Sequence, residues 1–459
     1  MIYSSLLFIY IFFPVSLLAY YLTSANHRKV TLLVLSMIFC AVNGLGFLIF
    51  MTVYTAMNFI ACRIIGKCKK NKEVARSILI LALVLDISAV FVFRSDFFSA
   101  YRELLSIPEE FFPVGISFFT LSATGVLADT YTGKAEQDMN LVNFALYIMF
   151  FPRLIMGPPL RYSGFRRMLH SQHSGLADMG AGITLFVKGF AKKVIAADSM
   201  YALYTASVSG DIGKMPVLTA WLGAVSYLLS LYFTLSGLSD MSAGISRCFG
   251  FRMPRNFNYP VFSQNVRCFT ARWHIQVSQW FRQYVARPLF SISDIRIYRD
   301  IVLIAVGGLI GFWYTFDAGG AACGIIWGTA VTAETYFIKD KQLQVTGRLY
   351  TFIISLICTV FMAGGSTAYT MKYLFAMIGG NGVLADSQSL YLLKSYVLIL
   401  IVSIYTAASF FRNIIVRSRM KKVQNIITAL SPVIVISVMI LCTVLISYRG
   451  SSEILLLKM

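Results

Sequence analysis

The sequence predicts an all-α, polytopic membrane helix bundle, and three observations carry that reading. Only 13% of the 459 residues are charged and 58% are hydrophobic, where a soluble domain has about 25% charged and about 45–50% apolar residues. The mean hydropathy is +0.71. Apolar runs close to the ~20 residues that cross a hydrocarbon core recur along the whole chain. So few charges cannot cover a water-facing surface, which excludes an ordinary soluble protein, a disordered chain and a disulfide-rich secreted domain.

Forty Lys and Arg against twenty Asp and Glu give a net charge of +20. In a membrane protein this excess reads as basic loops held on the cytoplasmic side against anionic lipid. Membrane lipids are therefore the expected partners, and nucleic acid is not. The eight cysteines (Cys40, Cys62, Cys68, Cys248, Cys268, Cys323, Cys358 and Cys442) form no C-x-x-C pair, and most lie in apolar runs. Scattered buried thiols are expected rather than bridges or a metal site.

Taken in order, residues 5–23 form a first apolar span; no positive segment precedes it and no small-residue cleavage site follows, so a removable leader is not expected. Residues 30–62 are too long for one helix, and Asn43-Gly44 is the natural break. A basic loop follows with Arg63, Lys67, Lys69, Lys70, Lys72 and Arg76. Further spans are expected near 77–94, 111–128, 141–156, 182–203, 216–244, 301–317, 320–338, 349–365, 391–411 and 426–447. A second basic loop holds Arg412, Arg417, Arg419, Lys421 and Lys422. Both loops should be cytoplasmic, so an even number of crossings must separate them. Nine apolar segments do. Either one of the nine is re-entrant or split, with 182–203 (interrupted by Lys188, Lys192 and Lys193) and the 301–338 pair around Gly319-Gly320 the foremost suspects, or the true number of segments differs from nine. Residues 246–299 differ in kind. They hold nine arginines and no long apolar run, which predicts interfacial or re-entrant helices with snorkelling guanidinium groups.

Few residues suit chemistry. His27 sits in a short basic turn, and His170 and His173 form H-x-x-H in a polar loop without a carboxylate or thiol to complete a metal site. His274, in Arg272-Trp273-His274, lies inside the aromatic, basic segment. Asp240 follows the Gly- and Ser-rich run Thr234-Leu235-Ser236-Gly237-Leu238-Ser239, and an acid at membrane depth is costly enough to mark a candidate; an ion pair with Arg247 is the structural alternative. Asp86 interrupts an apolar span with no partner nearby in sequence. Phe151-Pro152-Arg153 and Gly157-Pro158-Pro159-Leu160-Arg161 suit a non-helical turn at a membrane edge or a helix end held at the interface.

Several of these runs resemble the membrane-bound O-acyltransferases: FFPVGISFFTLSA at 111–123, FFPRLIMGPPLRYSGF at 150–165, GFAKKVIAAD at 189–198, the 232–260 segment and RWHIQVSQWFRQYVARPL at 272–289. The nearest branch O-acetylates alginate and other exopolysaccharides or D-alanylates teichoic acids. The resemblance covers nearly the whole chain as one membrane-embedded domain, residues 1–459. It implies about eleven or more helices, some partial, around a central funnel. It further implies transfer of an acyl group, acetyl foremost, from a cytoplasmic thioester donor (acetyl-CoA or an acyl carrier) to hydroxyls of an exported surface polysaccharide. No tightly bound cofactor or metal is implied. An extracytoplasmic acyl-transfer partner protein often completes the reaction, and a multi-pass place in the plasma membrane follows.

The resemblance also implies a site. His274 matches a histidine that follows Arg-Trp, with Trp273, Arg272, Trp313, Arg161 and Asp317 in the substrate-binding surround. The second family histidine, in Leu-Trp-His-Gly, aligns with Gly311-Phe312-Trp313-Tyr314-Thr315. Here Trp313 matches while Tyr314 replaces the histidine. Trp327-Gly328 match, whereas Val331-Thr332 stand for His-Gly, Thr234 for an Asp and Gln283 for another; no histidine follows His274. At pH 7 only about 0.1% of an unperturbed tyrosine is phenolate, and loss of a general base typically removes about 10²–10⁴ in rate. Asp317 is three residues on, a substitute base if the helix continues and otherwise a helix cap. Three readings follow: an active O-acyltransferase, a catalytically degenerate member serving as scaffold or conduit, or a transporter. His274, Tyr314 and Asp240, supplied by three separate resembling motifs, are expected to face one internal cavity.

Overall fold

The computed structural model describes residues 2–68, 71–95, 98, 113–135, 139–171, 175–337, 346–363, 366–408 and 421–449, with side chains of the last stretch from 430 to 448. His173, Phe111, Phe112, Lys69, Lys70, Arg412, Arg417 and Arg419 lie outside the described residues. The described chain is helical throughout its regular structure. Seven of its helices are long and apolar enough to cross a membrane: Leu45–Lys67, Lys72–Arg94, Val217–Cys248, Arg296–Thr315, Thr346–Ala363, Ser387–Ala407 and Leu430–Tyr448. A polytopic helical bundle is thus the observed architecture.

The contacts group the chain into two compact units. The first holds residues 1–186 and 238–254. It contains α1 (Phe8–Leu22), α2 (Arg28–Val42), α3 (Leu45–Lys67), α4 (Lys72–Arg94), α5 (Ile116–Tyr131), α6 (Leu141–Met149), α7 (Phe151–Leu154) and α8 (Tyr162–His170). Asn43-Gly44 does separate α2 from α3, because Gly44 takes φ +137°, a backbone angle open to glycine and hardly to any other residue. Gly115 opens α5 at φ +81°, and a β-carbon there would meet the Leu154 carbonyl oxygen at 2.0 Å. Aromatic rings build the core: Phe12 packs edge-on to Phe151 at 5.3 Å, and Phe151 edge-on to Phe249 at 5.6 Å. Tyr3 donates to the Phe151 carbonyl at 2.6 Å and Tyr20 to that of Phe249 at 3.0 Å.

The second unit holds residues 187–237 and 255–458. The division runs through two helices, α9 (Leu176–Ala191) and α11 (Val217–Cys248). A π turn at Lys192–Ala197 carries the chain from α9 into α10 (Asp198–Ser207). The unit continues with the short helices α12 (Val266–Thr270), α13 (Ile275–Phe281) and α14 (Arg287–Phe290). Longer ones follow: α15 (Arg296–Thr315), α16 (Ala318–Phe337), α17 (Thr346–Ala363), α18 (Thr367–Met377), α19 (Ser387–Ala407) and α20 (Lys421–Arg449). Glycines let α15 and α16 touch backbone to backbone: a β-carbon on Gly311 would lie 2.0 Å from the Gly320 oxygen, and one on Gly324 2.0 Å from the Gly307 oxygen. Close approach through small residues is how helices associate without a hydrophobic drive between them.

Among the described residues, four of the nine apolar segments hold no long apolar helix. Residues 141–156 split into α6 and α7 at Phe150, and the described part of 111–128 carries the 16-residue α5. The suspected break at 182–203 stays helical, because Lys193, buried there, is neutralised by Asp198 at 2.8 Å. The 320–338 segment forms α16, a helix too, but one outside the long apolar set. Residues 246–299 contain short helices only, beyond the end of α11, and eight of their nine arginines are exposed.

Candidate functional site

The second unit assembles a site from two non-adjacent runs. At the start of α13 the backbone turns left-handed at His274, φ +41°. Asn256 fixes this turn: its carbonyl accepts from Ile275 N–H at 2.8 Å and its Oδ1 from Gln276 N–H at 3.1 Å. The turn drives the imidazole inward, to 1% exposure. Phe257 stacks on it at 5.2 Å and Trp313 lies tilted at 6.1 Å.

Tyr314, one residue from the end of α15, meets the same ring. Its hydroxyl lies 2.7 Å from His274 Nδ1 and accepts from the Trp273 indole N–H at 3.1 Å. The indole nitrogen can only donate, and in the Nε2–H tautomer of His274 the phenol's single proton is directed at Nδ1 and the imidazole accepts it. Burial pushes His274 down to about 3, which keeps the ring neutral and fit for that role near pH 7.

Tyr314 and Trp273 line a cavity of about 580 Å³, predominantly apolar. Phe269 and Trp327 stack at 4.3 Å along it, Cys323 and Cys358 are among its lining residues, and Arg282 and Arg299 supply its positive charge. An apolar space with a few convergent polar groups is the usual form of a small-molecule site. The Tyr314 phenol stands at its lining with the His274 imidazole directly behind it.

The other sequence candidates are placed differently. Asp317 does not extend α15, because Phe316 at φ +58° ends that helix. Its Oδ1 accepts from Thr315 Oγ1 and from Gly320 N–H, both at 2.7 Å, so it caps α16. Arg272 is exposed, and its carbonyl accepts from Asn258 N–H at 3.0 Å. Asp240 and Arg161 belong to the first unit. Asp240 is half-buried there, and Arg161 pairs with Asp129 at 3.3 Å. Arg247 pairs with Asp178 at 3.1 Å; the acid it was expected to find in Asp240 sits elsewhere in the sequence. Arg247 and Arg252 together hold the Asp178 carboxyl below its ordinary value, Arg252 foremost. His27 accepts or donates at Ser24 Oγ, 3.0 Å, in an exposed turn. Six of the eight cysteines are buried and all are free thiols. Asn256, Phe257 and Phe269, which shape the site, carried no chemical signal in sequence; the first two lie in the resembling 232–260 segment, and Phe269 falls between the resembling runs.

Residues 66–346, more than half of the chain, match the model of the membrane-bound O-acyltransferase family. The chain belongs to that family and is an integral, multi-pass membrane protein. It is 33% identical over 340 residues to the probable alginate O-acetylase of Pseudomonas aeruginosa, covering 72% of this chain and 64% of the relative. It is 28% identical over 442 residues to the peptidoglycan O-acetyltransferase of Helicobacter pylori, covering 83% and 81%. It is 24% identical over 284 residues to the teichoic acid D-alanyltransferase of Bacillus subtilis, covering 57% and 71%. The chain thus spans a little under two thirds of the alginate O-acetylase it matches.

Proposed function

We propose that the protein is an active O-acyltransferase. It moves an acyl group, acetyl as in the alginate and peptidoglycan relatives' names, from a cytoplasmic thioester donor to a hydroxyl of an exported cell-surface polysaccharide. The 2.7 Å contact between His274 Nδ1 and Tyr314 Oη, with Tyr314 at the cavity lining, carries this reading. The acceptor oxygen attacks the thioester carbonyl and gives its proton to Tyr314 Oη as the phenol's proton passes to His274 Nδ1. Collapse expels the thiolate, which takes the proton back by the same route, leaving ester and thiol. Tyrosine need not titrate in this scheme, because it relays a proton and His274 receives it. The buried imidazolium is costly alone, and the oxyanion facing the pair offsets that cost while the intermediate lasts. Trp273 holds the phenolic oxygen, and Arg282 and Arg299 suit the phosphates of a coenzyme A or carrier-protein arm. An extracytoplasmic partner protein completes transfer to the glycan, through a funnel joining the two faces of the membrane.

The second reading is a scaffold or conduit for an active partner. It draws on Tyr314 in the place of the resemblance's histidine and on the low basicity of buried His274. The test is the acyl-ester content of surface polymer in a deletion strain complemented with wild type, Tyr314→Phe or His274→Ala. Loss of ester in both variants, with protein levels kept, supports the relay. Equal restoration by all three removes both residues from catalysis and favours the scaffold.

A further inference from the structure

A second buried polar pair lies in the first unit, inside two of the long apolar helices. Asp86 on α4 is fully buried, as is Asn58 on α3. The Asn58 amide is fixed in orientation: its Nδ2 donates to the Tyr54 carbonyl at 3.2 Å and to Asp86 Oδ1 at 3.0 Å. That leaves Asn58 Oδ1 and Asp86 Oδ2 buried, each with no donor. Among the described residues no Lys or Arg pairs with Asp86. The titratable groups of α3 that face it are Tyr54, whose hydroxyl donates to Thr120 at 3.4 Å, and the Cys62 thiol. The packed α5 turns the hydroxyls of Thr120 and Thr130 toward this region.

A carboxylate here would stand at membrane depth with only the neutral Asn58 N–H and the Tyr54 hydroxyl beside it, and Asn58 Oδ1 and Asp86 Oδ2 have no donor in this geometry. Turning the amide over does not help, because its oxygen would then oppose Asp86 Oδ1. One added hydrogen resolves both vacant acceptors at once: a neutral carboxylic acid is a donor as well as an acceptor, and an acid and an amide can close a ring of two hydrogen bonds. We propose that Asp86 and Asn58 form an intramembrane proton-binding site, with Asp86 held as the neutral acid whose Oδ2–H donates to Asn58 Oδ1. The ligand is a proton, and the site fastens α3 to α4 without placing a charge in lipid.

The test uses full-length protein in lipid nanodiscs and infrared spectroscopy at pH 7. The wild type should show a carbonyl stretch of a protonated carboxylic acid that vanishes in Asp86→Asn. Asp86→Asn, which copies the neutral acid in shape and can donate to Asn58 Oδ1, should also keep the wild-type unfolding midpoint. If instead the variant removes a carboxylate band and leaves the acid region unchanged, the proposal is overturned. It is overturned equally if sodium chloride, against choline chloride, raises the midpoint of wild type but not of Asp86→Asn. That result would mark a sodium ion held by oxygens of Asp86 and Asn58.

Discussion

The two buried polar pairs sit on opposite kinds of scaffold. Asn58 and Asp86 ride on α3 and α4, regular helices of 23 residues each. His274 and Tyr314 meet where a left-handed turn begins the seven-residue α13 and where α15 stops. A regular helix in lipid can present a polar side chain to a neighbouring helix or back to its own i−4 carbonyl, as Asn58 does to Tyr54, but not into a wider space. An irregular segment can turn a side chain into a cavity, and Tyr314 lines one of about 580 Å³. The first pair is therefore suited to hold helices together and the second to meet substrate.

That contrast can be broken experimentally. The largest expected effect is on Tyr314→Phe, which should lower acyl transfer by about 10²–10⁴, the range for losing a group that moves a proton in the transition state, with the unfolding midpoint near wild type. Asp86→Asn should leave transfer untouched; a comparable loss there would erase the distinction between the pairs. Next comes Gly311→Ala. Its β-carbon would collide with the Gly320 oxygen, and overpacking of this kind costs about 1–3 kcal/mol. Thermal unfolding should show the loss, and transfer should fall as well, because α15 carries Tyr314.

A smaller effect concerns acid. The folded His274 titrates at about 3, below the ordinary 6.5. Between those values the unfolded chain binds the proton and the folded one does not, so stability rises with pH across that window and is lost on acidification. His274→Gln should flatten this slope in unfolding scans from pH 4 to 7. The smallest expected effect is at Asp178, whose carboxyl is held low by Arg252 and Arg247. Its contribution is present above the unfolded carboxylate value and fades as pH falls through the folded one. Asp178→Asn should change the midpoint only slightly at pH 7, less in high salt than in low.

The fold class was legible because hydropathy finds spans directly, and the Asn43-Gly44 break because glycine announces a backbone angle. The short helices of 246–299 were legible from arginine spacing. Pairing was not. In lipid the outward faces are as apolar as the buried ones, so the periodicity that exposes a helix's inner face in a soluble protein is muted; only 17% of the best window of Lys72–Arg94 is buried. Asn58 and Asp86 are 28 residues apart, and no local pattern joins them. The backbone contact of α15 with α16 was visible only as glycine-rich runs. His274 and Tyr314 were named through resemblance, and their 2.7 Å contact needed three dimensions.

The left-handed backbone beneath His274 also restricts which residues can occupy that position over time. At φ +41° a β-branched side chain is strained, while glycine, asparagine and aspartate are tolerated. Drift through valine or isoleucine is thus closed whatever the chemistry requires, and asparagine is the substitute that spares the turn while discarding the ring. Saturation of codon 274 would then sort substitutions into two sets: those that fold without an imidazole, and those that do not fold.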